Sequence, residues 1–153
     1  MYPILQDLIH QAESKYLNQD DLNNLQIEMA RLQQRKVVYQ TLRDQEVAIF
    51  QDIADKLTEQ FPDENNNTIE PCLHHWILAT RYSAMAMLLN NPEFLERRLL
   101  EWLTDIVAIH EYQAISGKLY ELLLNRLPKL LSDKDLEYLS PFLSTSIVFS
   151  LIG

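Results

Sequence analysis

The sequence predicts an all-α protein, and three observations lead to that prediction. Glycine occurs only twice in 153 residues, whereas β-hairpins and phosphate-binding loops need it for backbone conformations with positive φ. Apolar residues recur every three or four positions along most of the chain, which is the spacing of one helix face. Long stretches without Gly or Pro, the longest running from Ile4 to Phe61, permit long helices.

Length and charge narrow the classes of function. A chain of 153 residues with 47% apolar residues can form a hydrophobic core of its own, so we expect one domain spanning residues 1–153. The net charge of −9 disfavours nucleic acid and anionic membranes as partners. The single cysteine excludes an intramolecular disulfide. We expect a cytoplasmic protein without membrane insertion, since no signal peptide follows Met1 and no apolar run reaches about 18 residues.

The first predicted helix runs from Pro3 to about Lys15 and is amphipathic. Its apolar face consists of Ile4, Leu5, Leu8, Ile9 and Ala12. Asp20 or Asp21 is the predicted cap of the next helical stretch, which continues to Phe61. Because globular helices usually span ~8–20 residues, we expect two or three helices in series here, with a bend near residues 33–36 and a second possible break at residues 41–44.

Residues 70–90 are predicted to form one buried central helix. A polar loop over residues 63–68 precedes it, and Pro71 is expected at its first position, where a missing N–H is harmless. Its apolar side is wider than the stripe of a surface helix. The helix carries the chain's only cysteine, Cys72, together with His74 and His75.

Three more helices are predicted after the central one. They cover residues 93–109, 112–127 and 136–152, with a junction at His110. Pro92 suits the first position of a helix, and Ser132 with Asp135 three residues later forms a capping-box variant. Pro141 predicts a kink or a false start in the last helix.

The opening of the central helix is the most unusual site in the sequence. Cys72, His74 and His75 lack a second ligand cluster that would complete a tetrahedral zinc site, so we predict no metal. A helix start favours the thiolate, and His75 one turn on could take its proton, but a cysteine among apolar residues is usually inert. No acid–base pair stands out, so we predict that the chain is not an enzyme.

Several segments follow one another in a specific order. Residues 16–22, Tyr-Leu-Asn-Gln-Asp-Asp-Leu, link the first two helical stretches, and Arg81-Tyr82 follows Cys72 by nine residues. Residues 91–95, Asn-Pro-Glu-Phe-Leu, open the next helix, and residues 131–151 form the last. In order and spacing these segments resemble the phycobiliprotein family over nearly the whole chain.

The resemblance implies a globin-like phycobiliprotein fold. Residues 33–153 would form the globin-like core, and residues 1–32 an N-terminal helical pair that makes the dimer contact with a second copy or another phycobiliprotein-like chain. It also implies an open-chain tetrapyrrole, or bilin, joined to Cys72 by a thioether. The further cofactor-binding residues would be His74, His75, Arg81 and Tyr82. In the family an Arg-Asp pair, which holds the pigment, stands where this chain has His74-His75.

The function implied by the resemblance is non-enzymatic and belongs to the phycobilisome at the thylakoid: light harvesting, assembly, or binding and regulation by a bilin. One alternative is a haem-binding, globin-like sensor with His74, His75 or His110 as the axial ligand. Another is a pigment-free helical dimerisation module. Its contact surface would be the apolar face formed by Ile4, Leu5, Leu8, Ile9, Leu22 and Leu25.

Overall fold

The described part of the chain is entirely helical apart from turns. The computed structural model describes residues 3–64, 66–103 and 113–152, and within them no strand occurs. The six α-helices are α1 (Pro3–Ser14), α2 (Gln19–Gln60), α3 (Asn66–Leu89), α4 (Pro92–Leu103), α5 (Gln113–Arg126) and α6 (Asp133–Ile152). A short 3-10 turn, Leu127–Lys129, follows α5. The prediction of an all-α fold is confirmed.

Helix α2 is continuous over 42 residues, so the prediction of two or three helices in series is wrong. Glutamine and leucine, which are frequent in α2, have a high helix propensity. At the second expected break, the Thr41 hydroxyl donates to the Val37 carbonyl oxygen at 3.0 Å, which accommodates a polar β-branched residue inside a helix. The expected breaks therefore came from the typical length of globular helices, and no residue of α2 interrupts the helix there.

The start of α2 is fixed by a capping box at Asn18. The Asp21 N–H donates to the Asn18 side-chain oxygen at 2.9 Å, and the Asn18 N–H donates to the Asp21 carboxylate at 3.1 Å. Each residue satisfies a backbone donor that the helix itself leaves unpaired. The predicted cap, Asp20 or Asp21, is therefore two to three residues late, and Asp21 is instead the reciprocal partner.

Only the second half of α2 belongs to the hydrophobic core. Its buried apolar residues there are Val38, Leu42, Ile49, Phe50, Ile53 and Leu57. Before Val38, the buried residues of α2 are Glu28 and Arg35, and α1 contributes Leu8 alone among its described side chains. Residues 3–37, which we call the arm, thus extend from the core with little apolar burial of their own. The predicted division at residue 32 stays a prediction, since α2 runs through it.

Helix α3 lies at the centre and packs against α2, α4, α5 and α6. It begins at Asn66, earlier than predicted, so Pro71 lies inside the helix and the polar loop before it is shorter. Asn90 ends it with a left-handed backbone (φ 46°), and the Asn91 N–H donates to the Ala86 carbonyl oxygen at 2.9 Å. Asparagine tolerates this conformation better than most residues, which explains why the predicted end of the helix is confirmed.

The last helices follow their sequence signals closely. Pro92 is the first residue of α4, as predicted, and the Asn91 side chain accepts the Phe94 N–H at 3.1 Å. The expected continuation of this helix to residue 109 and the junction at His110 lie outside the described residues. The Asp135 N–H donates to Ser132 Oγ at 3.2 Å, which confirms the predicted cap of α6. Helix α6 begins at Asp133 and passes through Pro141 without ending, so the predicted false start is wrong.

Candidate functional site

Cys72 is part of the closed core. Its side chain is 4% exposed, and it is the seventh residue of α3, beyond the first helical turn. Burial raises the pKa of the Cys72 thiol to about 11, because a thiolate loses its hydration there. The expectation that a helix start favours the thiolate is therefore wrong for this position. At neutral pH Cys72 is a protonated, apolar residue.

The two histidines beside Cys72 have different surroundings. His74 is exposed, whereas His75 is 8% exposed and its ring meets the Trp76 ring edge-on at 6.0 Å. Burial, and to a lesser degree the charge of His74, lower the pKa of His75 to about 4. His75 is thus neutral at physiological pH and lacks the negative charge of the aspartate that stands at this position in the family.

Trp76 holds the face of α3 that carries Cys72 against α5. The indole is fully buried, and its N–H donates to Ser116 Oγ at 2.7 Å. Its ring also packs on Tyr120, with 5.4 Å between ring centroids. Since residues four apart share a helix face, Cys72 lies on the same side of α3 as Trp76. Large aromatic rings therefore fill the space next to this face.

Arg81 lies on the other side of α3. Nine residues separate it from Cys72, which is two and a half helical turns, or about 13 Å along the axis, and places the two residues on opposite faces. Arg81 Nε and Nη2 donate to the two carboxylate oxygens of Glu46, at 2.6 and 2.9 Å. The hydrogen bond to Glu46 and its charge raise the pKa of Arg81. This bidentate pair connects α3 to α2.

A cavity of about 440 Å³ opens beside this ion pair, between α2, α3 and α4. The lining residues are Tyr39, Leu42, Arg43, Glu46, Ile49, Phe50, Thr80, Arg81, Tyr82, Ala84, Met85 and Phe94. Two of the predicted site residues, Arg81 and Tyr82, therefore line one cavity. Cys72, His74 and His75 are not among its lining residues, and the structure does not bring the five predicted residues into one site.

Sequence reasoning missed the residues of α2 that face this cavity. Glu46 lies 35 positions before Arg81, and Ser116 lies 40 positions after Trp76. These hydrogen-bonded pairs form because separate helices pack together, and the local spacing of residues in the sequence does not predict them. Tyr39 and Glu46 are seven positions apart and therefore share a face of α2. That spacing indicates a shared face only because α2 is one unbroken helix, which the sequence analysis did not predict.

A metal site needs a cluster of ligands, and a membrane span needs a long apolar helix. Within residues 3–64, 66–103 and 113–152, no three His, Cys, Asp or Glu side chains are grouped so that they could hold a metal ion. Among the same residues, no helix is long and apolar enough to cross a membrane. No histidine lines the cavity beside Arg81, and His110 lies outside the described residues. The haem alternative therefore stays a prediction.

An N-terminal helical arm, a long second helix and a central helix with a buried cysteine define a globin-like, all-α protein of the phycobiliprotein type. The family model described as Phycobilisome protein matches residues 8–115. The chain therefore belongs to the phycobilisome protein family, and the resemblance stated from the sequence is confirmed. No curated protein matches the chain.

The family's pigment chemistry can be compared with the residues around Cys72. Family members typically bind bilins through a cysteine, and this chain has one cysteine, which is buried. Thioether formation needs a thiolate, whereas the Cys72 thiol has a raised pKa. The cavity beside Arg81 is not lined by Cys72, and His75 is neutral. The described residues around Cys72 therefore fit a thioether-linked bilin poorly.

Proposed function

We propose that this chain acts in the cytoplasm at the phycobilisome as a pigment-free, non-enzymatic assembly subunit. Its arm binds a second phycobiliprotein-like chain, and we propose that this partner is a second copy of the same protein. Membership of the phycobilisome protein family supports the setting. The arm supplies the surface, and the closed environment of Cys72 argues against a pigment.

The observation that carries this proposal is the exposure of apolar side chains on the arm. Six of the ten large hydrophobic residues exposed in the described chain lie in it, so the apolar surface is concentrated there. They are Ile9, Tyr16, Leu22, Ile27, Met29 and Val37. Helices are stabilised mainly by burial of an apolar face, and concentrated exposed apolar surface marks sites of protein association.

The geometry of the arm sharpens the predicted contact surface. Leu8, which the sequence placed on that surface, is 7% exposed and is therefore already buried within the chain. Leu22 and Met29 are 45% and 61% exposed, and their seven-residue spacing places them on one face of α2. Leu25 lies between them and is half-buried. This stripe has the spacing of a helix that packs along another helix.

Sedimentation velocity of matched leucine variants tests the proposal. We expect the wild-type chain to sediment at twice its mass of 18.0 kDa and Leu22→Glu to sediment as a monomer, because a buried charge without a partner destabilises an interface. The control is Leu124→Glu on α5, where leucine is 41% exposed, close to the 45% of Leu22; it should stay dimeric. A monomeric wild-type chain, or equal behaviour of the two variants, would contradict the proposal.

A second candidate is a bilin carried by Cys72. The family membership favours it, since family members typically bind bilins through a cysteine and this chain has one. Its test is the visible absorbance of the acid-denatured chain after coexpression with bilin synthesis. A band that is present in the wild-type chain and absent in Cys72→Ala supports a thioether at this residue; no band in the wild-type chain excludes it.

A further inference from the structure

We propose that the cavity between α2, α3 and α4 binds an amphipathic carboxylate, a molecule with an apolar chain and a single carboxylate head. The volume of about 440 Å³ falls within the range of ~300–1,000 Å³ that is typical of small-molecule sites. The greater part of the wall is apolar and suits the chain of such a ligand. These wall residues are Leu42, Ile49, Phe50, Ala84, Met85 and Phe94.

One hydroxyl group in the cavity lining makes no hydrogen bond to the described residues. Thr80 is 6% exposed, and its Oγ1 is buried without a partner in the described part of the chain. A buried hydroxyl without a partner costs free energy, so this atom is available to a polar ligand atom or a bridging water. Tyr39 also lines the cavity and brings a second hydroxyl group to its wall.

Two guanidinium groups border the cavity and favour an anion over a neutral or cationic ligand. Arg43 Nε donates to the neighbouring Asp44 at 2.9 Å, in a pair whose side chains are 60% and 59% exposed. Exposed pairs of this kind are weak, and the other N–H groups of Arg43 remain for a carboxylate. Arg81 is engaged by Glu46, so Glu46 competes with any incoming anion.

The cavity is distinct from the cysteine that the family resemblance implicates. Cys72 lies on the opposite face of α3 and does not line it. The inference therefore does not rest on the assembly role, and it stands or falls independently of dimer formation through the arm.

Calorimetric titration with decanoate tests the inference, and decan-1-ol serves as the probe of equal chain length without a charge. We expect one decanoate per chain, with an affinity about tenfold higher than that of decan-1-ol, as one charged hydrogen bond allows. Arg43→Ala should lower the decanoate affinity to the level of the alcohol. Arg97→Ala, an exposed arginine of α4 paired with Glu93, is the matched control and should leave it unchanged.

Two further variants and one control distinguish specific binding in the cavity from nonspecific binding. Glu46→Gln should tighten decanoate binding, because it removes a negative charge and releases Arg81. If the ion pair between Glu46 and Arg81 were only structural, its removal would not tighten decanoate binding. Met85→Trp should fill the cavity and abolish binding, while Val47→Trp, at a position that is 78% exposed on α2, should not. Circular dichroism checks that both tryptophan variants fold. If Met85→Trp does not fold, the Arg43→Ala variant at the rim of the cavity still tests the inference.

Four results would overturn the inference. They are the absence of saturable decanoate binding, equal affinity for decanoate and decan-1-ol, undiminished binding in folded Met85→Trp, and conversion of a dimer to a monomer by Met85→Trp. The last result would mean that a second copy of the chain occupies the cavity. It is distinguishable from a failure of the arm to associate, because in that case the wild-type chain is itself a monomer.

Discussion

Burial determines the chemistry of the residues that the sequence singles out. Cys72 and His75 are 4% and 8% exposed, and the absence of water stabilises the neutral form of each. A pattern of residue types cannot reveal this, because the same Cys-x-x-His spacing at a helix start open to solvent would favour a thiolate. The residue identities were therefore informative about the family. The apolar neighbours of Cys72 correctly indicated an inert thiol, whereas the argument from a helix start was wrong.

At the residue scale, Cys72 should react slowly with iodoacetamide. A thiol pKa of about 11 instead of the usual 9.0 lowers the thiolate fraction at pH 8 by about 100-fold, and burial hinders access further. Mass spectrometry of the intact chain measures the rate cleanly, since Cys72 is the only cysteine. The same chain in denaturant is the control and should react as a free thiol does; equal rates with and without denaturant would contradict the burial of Cys72.

His75 should make the folded chain sensitive to acid. Its pKa is lowered from 6.5 to about 4, so the unfolded chain binds the proton more readily. The contribution of neutral His75 to stability is therefore fully present above about pH 6.5 and is lost as the pH falls to about 4, by about 3 kcal/mol at most.

Denaturant unfolding at a series of pH values measures this effect. The difference in the free energy of unfolding between wild type and His75→Gln should shift by that amount between pH 7 and pH 4. His10→Gln, at an exposed position of α1, should shift little relative to the wild type. Parallel pH profiles for wild type and His75→Gln would show that His75 is not buried in its neutral form.

At the scale of the helix, sequence signals predicted where a helix ends better than they predicted how far a helix continues without a break. The Asn90-Asn91-Pro92 end of α3 and the Ser132 cap of α6 were predicted because specific atoms terminate or start a helix there. The continuity of α2 was missed, because its expected breaks came from typical helix lengths and not from a residue that stops a helix. The start of α3 was missed because Pro71, although suited to a first position, is also tolerated inside the helix.

A distance measurement tests the continuity of α2. Spin labels at Asn23 and Glu59, both exposed, in a Cys72→Ser background should lie about 54 Å apart, since each residue of a straight α-helix adds about 1.5 Å. Double electron–electron resonance reads this distance directly. A broad distribution centred well below that value would indicate a bend near residues 33–36, as the length statistics first suggested.

At the scale of the whole molecule, the core and the arm differ in how far their apolar side chains are buried. The core surrounds α3 and encloses the cysteine, whereas the arm has apolar side chains that the described residues leave exposed. The fold and family were predictable from the order of segments along the sequence. The location of the cavity and the exposure of the arm were not, because both depend on which faces of separate helices meet.

Native mass spectrometry of the chain purified from a bilin-producing host tests the central claim most directly. We expect a complex of two chains, each with the mass of the polypeptide alone, because we propose that the arm joins two copies and that Cys72 carries no pigment. A single chain, or a chain with the added mass of a covalently bound tetrapyrrole, would contradict it.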